Sequence, residues 1–96
     1  MSISTHKVSK NLLICLGTQH ARRAYRSEIV IFELNPNQDW EVDQSYRWVW
    51  KHSQITNIFY NGGCGLVVSS FLGFIEIFDS VNLHIPVWDS AHSDQK

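Results

Sequence analysis

One pattern occurs twice in this chain, and a chain that repeats itself is expected to build one structural unit twice. Leu13-Ile14-Cys15-Leu16-Gly17-Thr18, followed later by Ile29-Val30-Ile31-Phe32-Glu33, resembles Leu66-Val67-Val68-Ser69-Ser70 followed by Phe74-Ile75-Glu76-Ile77-Phe78-Asp79. Each copy is an apolar run ending in small or hydroxyl residues, a connection, and a second apolar run ending in an aromatic and an acid. Phe32-Glu33 and Phe78-Asp79 hold the same place in the two copies, and their separation is close to the ~40–45 residues of a repeated four-stranded unit. Val49-Trp50-Lys51-His52-Ser53 recurs loosely as Val87-Trp88-Asp89-Ser90-Ala91-His92-Ser93.

The units are made of strands. The apolar segments are short, rich in β-branched and aromatic residues, and bounded by Gly, Asn, Ser or Pro. They predict strands at Asn11–Gly17, Ile29–Leu34, Tyr46–Trp50, Ile55–Tyr60, Leu66–Ser70, Phe74–Phe78 and Leu83–Trp88. Ile29–Leu34 has so few polar residues that both its faces are expected to be covered. In Tyr46–Lys51 the residues Tyr46, Trp48 and Trp50 share one face while Arg47, Val49 and Lys51 share the other, as suits the outer rim of a sheet. Asn61-Gly62-Gly63 offers a hairpin turn tolerant of positive φ, and Leu72-Gly73 does so more weakly. Evenly spaced short strands predict an all-β, antiparallel architecture.

Within this frame His52-Ser53-Gln54-Ile55-Thr56-Asn57-Ile58-Phe59-Tyr60-Asn61-Gly62-Gly63 resembles the opening of a WD repeat, with its initial His, short inner strand and Gly-containing turn. Leu66–Ser70 then resembles the second strand, Phe74–Phe78 the third, Phe78-Asp79 the Trp-Asp pair of that family, and Leu83–Trp88 the outer fourth strand. The resemblance implies antiparallel four-stranded blades of a β-propeller, about two of them. Residues 1–50 form a first blade with an incomplete first strand around Ile3–His6. Residues 51–90 form a second blade, and 91–96 a tail or the start of a further repeat. It also marks His52, Ser70, Phe78 and Asp79 as structural repeat positions. Leu72 stands where the family carries Asp, and Phe78 stands for Trp, so the family's hydrogen-bonded tetrad is incomplete and this blade relies on apolar packing. Two blades leave two apolar faces open. Further blades in the same chain, self-association, or completion of another protein's ring would cover them.

Composition narrows the function classes. A net charge of −1 lacks the basic excess of a generic nucleic-acid binder. No segment approaches the ~20 apolar residues of a membrane helix, and the N-terminus lacks the apolar run of a secretory signal. Cys15 and Cys64 form no C-x-x-C pair, which favours a reducing cytoplasmic or nuclear setting.

For partner binding, the segment His20–Glu28 is expected to be a long loop on the same rim as His52. Its Arg22, Arg23, Tyr25 and Arg26 suit a carboxylate or phosphate; the competing reading is a solvated surface loop. Tyr46, Trp48 and Trp50 offer a stacking platform for bases, against the competing reading of core packing. His6, His20, His52, His84 and His92 show no zinc-like spacing, so no metal or cofactor is expected. No nucleophile elbow or phosphate loop surrounds Ser69, Ser70, Cys15 or Cys64, and a catalytic role is not expected. The sequence therefore points to a non-catalytic protein–protein interaction scaffold with a partner of unknown identity. The alternative is a small single-stranded nucleic-acid-binding β-domain using Tyr46, Trp48 and Trp50.

Overall fold

The computed structural model of the chain describes residues 1–20, 23–52 and 54–92, with the backbone alone at 19, 20, 23–26 and 92. The fold is all-β. A first sheet contains β1 (Ser2–Thr5), β2 (Leu12–His20), β3 (Arg23–Asn35) and β4 (Glu41–Trp50). A second contains β5 (Ile55–Asn61), β6 (Gly65–Ser70), β7 (Ile75–Phe78) and β8 (Pro86–Asp89). Each is a four-stranded antiparallel meander in chain order. Every predicted strand is present, with its ends moved by a few residues.

The segment expected as a loop from His20 to Glu28 is corrected: β2 runs on to His20 and β3 starts at Arg23, with Thr18 opposite Glu28 and His20 opposite Arg23. Its polar residues read as loop. An antiparallel ladder needs only paired backbone groups and tolerates Thr and Tyr well.

The two sheets stack face to face. On the first sheet, alternation directs Leu13, Cys15, Ile29, Ile31 and Trp50 to one side; on the second it directs Ile58, Tyr60, Leu66, Val68 and Phe78 towards them. These residues, with Leu83 from the β7–β8 connection, form one buried cluster. Fully burying a Leu, Ile or Phe side chain contributes roughly 1.5–3 kcal/mol, so this layer is the main source of stability. Trp48 meets Phe78 edge-on at 5.3 Å between ring centres, and Tyr46 stacks on His84 at 5.1 Å.

Polar ties flank the apolar layer. The His6 Nδ1 accepts N–H groups from Val8 and Ser9, each at 3.1 Å, so Nε2 carries the proton and donates to the Val81 carbonyl at 3.0 Å. The Tyr60 hydroxyl accepts from the Lys7 N–H at 3.0 Å and donates to the Ser80 carbonyl at 2.7 Å. At the opposite edge the Trp50 indole N–H donates to Glu76 Oε1 at 2.8 Å. The acid that ends each repeated pattern is also satisfied locally. Buried Glu33 accepts from Asn11 and Ser9, and Asp79 accepts the Val81 and Asn82 N–H groups at 3.1 and 2.8 Å.

One of the two predicted turns differs from expectation in detail. Among Asn61–Gly65 the left-handed backbone falls on Gly65, with φ 118°, rather than on Asn61, Gly62 or Gly63. A Cβ at Gly65 would lie 2.0 Å from the Phe78 carbonyl oxygen, so the β6–β7 pairing itself demands glycine there. Gly73 is left-handed at φ 89° in the β6–β7 turn, as its sequence suggested.

Candidate functional site

What the two sheets do not bury is as informative as what they do. The outer face of the first sheet carries cross-strand rows running Ile3–Ile14–Phe32–Ser45 and Thr5–Leu12–Leu34–Val42. The outer face of the second carries Phe59–Val67–Ile77–Trp88 straight across its four strands. Ile3 is 60% exposed, Phe59 42% and Trp88 43%, while Ile14, Phe32, Leu34, Val67 and Ile77 are half-buried. In a finished two-sheet sandwich the outward positions alternate to polar residues. Here large apolar residues run through both outer faces, mixed on the first sheet with Thr5, Ser45 and the Glu28–Arg47 pair; contiguous apolar surface is where proteins commonly meet partners. The covering expected on both faces of Ile29–Leu34 is therefore supplied within this chain on the Ile29–Ile31 side, while the Phe32–Leu34 side stays partly open.

The first sheet's outer face is not flat. A depression of about 400 Å³ opens beside Val30, Phe32, Ser45, Tyr46 and Arg47. Arg47 at its rim pairs with Glu28 at 3.2 Å, a largely exposed contact of small energetic consequence.

A second surface lies at one end of the stack. Gly17 of β2 abuts Ile55 of β5, and Ile55 pairs with Ser70, so the C-terminal end of β2 and the β6–β7 turn lie at the same end of the stack. The start of β3, which holds the backbones of the predicted partner-binding residues Arg23, Tyr25 and Arg26, lies at this end. Arg22 lies outside the described residues, as do the side chains of Arg23, Tyr25 and Arg26, whose backbones belong to β3. The β6–β7 turn at this end carries Phe71 and Leu72, 72% and 78% exposed. The sequence marks Leu72 as part of a weak turn and as a residue standing where the resembled family carries Asp. The stronger clue was two large apolar residues in a turn, where Asn, Asp, Gly and Ser normally sit.

The repeat positions serve the fold in different ways. His52 stacks on Phe74 at 3.9 Å, with Trp50 edge-on at 5.3 Å. The Ser70 Oγ accepts the Phe74 N–H at 3.1 Å, and Phe78 lies in the core. Among the described residues no hydrogen bond joins His52 to Ser70. Asp79 is held below the usual carboxylate range by the Asn82 and Val81 amides.

Tyr46, Trp48 and Trp50 line the inter-sheet layer, with Trp50 buried and the other two half-buried. Their ring contacts with His84, Phe78 and Phe74 occupy surface that a base would need. A cleft of about 300 Å³ beside them is lined by Trp48, Lys51, His52, Glu76, His84 and Pro86. Among the described residues no three His, Cys, Asp or Glu side chains stand together as a metal site. No described helix is long and apolar enough to cross a membrane. Burial pushes the Cys15 thiol up to about 12, whereas Cys64 is exposed.

Compared with protein-family models, with curated proteins and with solved structures, the chain matches none.

Proposed function

We propose that this chain is a non-catalytic interaction scaffold: two consecutive blades of a WD-type β-propeller, residues 1–50 and 51–90, that hold a partner protein through one rim. The observation carrying this reading is that two stacked four-stranded meanders keep apolar residues on both outer faces.

The direction of stacking supports it further. Phe32 and Phe78 are equivalent by sequence, and their ladder neighbours Ile14 and Leu66 are equivalent as well. Phe32 points away from the second sheet, whereas Phe78 points into the first. Unlike faces therefore meet, as in successive propeller blades, instead of like faces closing on a two-fold axis. The rim at the β2–β3 and β6–β7 ends, with Arg22, Arg23, Tyr25, Arg26, Phe71 and Leu72, is the partner-binding region in this reading. Free thiols at Cys15 and Cys64 suit a cytoplasmic or nuclear setting.

Light scattering combined with near-ultraviolet circular dichroism tests the proposal. Fixed aromatic signals in an associated species are expected, because the sheets are formed and their open faces seek cover. A sharp monomer with fixed aromatic signals would mean a complete two-sheet domain and would overturn it.

A further inference from the structure

We propose that copies of this chain join head to tail, the outer face of the second sheet in one copy seating on the outer face of the first sheet in the next. The inference rests on the stacked-blade reading above and names the partner for its open faces as a second copy.

The internal interface is the template, and the open faces continue it. Across that interface the first sheet presents the row Cys15–Ile31–Tyr46, and the second presents Leu66–Phe78–Pro86. Position by position in the ladders, Cys15 corresponds to Val67, Ile31 to Ile77 and Tyr46 to Trp88. The second sheet's outer face is thus a copy of the first sheet's buried face, an aromatic on its edge strand included. In the same way Ile14 corresponds to Leu66 and Phe32 to Phe78, so the first sheet's outer face is a copy of the second sheet's buried face. What is joined once inside the chain is offered again at its two ends.

Details of the open faces agree. Inside the chain an aromatic of edge strand β4 meets Phe78, and Tyr46 stacks on His84 of the β7–β8 connection. In that template Trp88 of edge strand β8, the counterpart of Tyr46, lies over the next copy's first sheet at the edge of the depression beside Phe32, towards the β3–β4 connection. The β3–β4 connection beyond it carries Trp40, an exposed aromatic held at a left-handed φ of 62°. Such an interface uses different patches on its two sides, so it closes into a ring when the rotation allows. Propeller rings of four to eight blades correspond to about two to four copies.

Charged variants on the two faces test this. Phe32→Glu blocks one face and Trp88→Glu the other. Each alone should sediment as a monomer, and their equimolar mixture as a 1:1 dimer joined through the two unblocked faces. Ile3→Glu and Phe59→Glu, exposed on the same two faces, provide a second pair that leaves the core untouched. Dimers of either variant alone would show like faces pairing and overturn the head-to-tail arrangement. A mixture that stays monomeric while the unaltered chain associates would overturn it too, leaving the scaffold reading in place. A sharp monomer of the unaltered chain, or loss of the near-ultraviolet aromatic signal in every sample, would overturn both.

Discussion

Gly17 lies where the two sheets touch, and replacing it tests whether they stack as described. A Cβ at this position would fall 2.6 Å from Ile55 Cγ2 and 3.2 Å from Ile55 Cβ and Cδ1. Carbon atoms in contact prefer roughly 3.5–4.0 Å, so the overlap is close to an ångström. Ile55 is branched at Cβ and stiff at χ1, and because its own Cβ is also crowded, rotation does not clear the space. Overpacking of this kind costs about 1–3 kcal/mol, against roughly 0.5–1 kcal/mol returned by removing a flexible glycine from the unfolded chain. Gly17→Ala should therefore lose about 1–2 kcal/mol net. Ile55→Ala alone should lose a similar amount, since Ile55 is only half-buried and full Ile truncations cost about 2–5 kcal/mol. In the double variant the clash is gone. Adding alanine at 17 then becomes neutral or slightly stabilising, and the two sites couple by about 1–3 kcal/mol. Urea unfolding followed by tryptophan fluorescence reads all four corners of this cycle. Additivity within about 0.5 kcal/mol would mean that β2 and β5 do not meet, and the inter-sheet reasoning would fall.

The remaining predictions address single sites. Gly65→Ala, which drives a Cβ into the Phe78 carbonyl, should cost more than about 3 kcal/mol in thermal melts, whereas Gly73→Ala, open to solvent, should cost only about 1–2 kcal/mol. Native alkylation at mildly alkaline pH should label Cys64 and spare Cys15 until the chain is unfolded, as mass spectrometry would show. Because the Cys15 thiol is raised from 9.0 to about 12, the unfolded chain releases this proton first. Stability should hold below pH 9 and decline as pH rises towards 12, and Cys15→Ala should flatten that decline. Asp79 has the opposite sign: its lowered carboxyl stabilises the fold above its unfolded value of 3.8, and that contribution disappears as pH falls through the lower folded value. Acid titration of Asp79→Asn should lack this component.

Strand positions were legible because a half-buried ladder leaves a period of two in the sequence, as in Tyr46–Trp50, and because turns need particular residues, as at Gly73. The extension of β2 and β3 through Thr18–Ser27 was not legible. Most of those residues are polar and no core pattern marks them, yet Thr18, Gln19 and His20 pair with Glu28, Ser27 and Arg23. Gly65 was hidden for a related reason: its demand comes from the Phe78 carbonyl, distant in sequence. The exposed pair Phe71 and Leu72 was visible as two apolar residues in a turn.

A repeat in sequence says that two units are alike; it does not say which of their faces meet. If the equivalent faces had met, Phe32 and Phe78 would both lie in the core, the outer faces could have been polar, and the chain would be a closed sandwich. Instead Phe78 is buried against Trp48 while Phe32 faces outward beside Val30 and Ser45. The same residue in the same repeat position is thus core in one unit and surface in the other. In the stacked-blade proposal the second environment is supplied from outside the pair of sheets. Among the described residues no hydrogen bond joins His52 to Ser70, so the second unit is held chiefly by its apolar contacts. In the stacked-blade proposal a unit stabilised through its faces gains stability when both have neighbours, and folding is then tied to assembly.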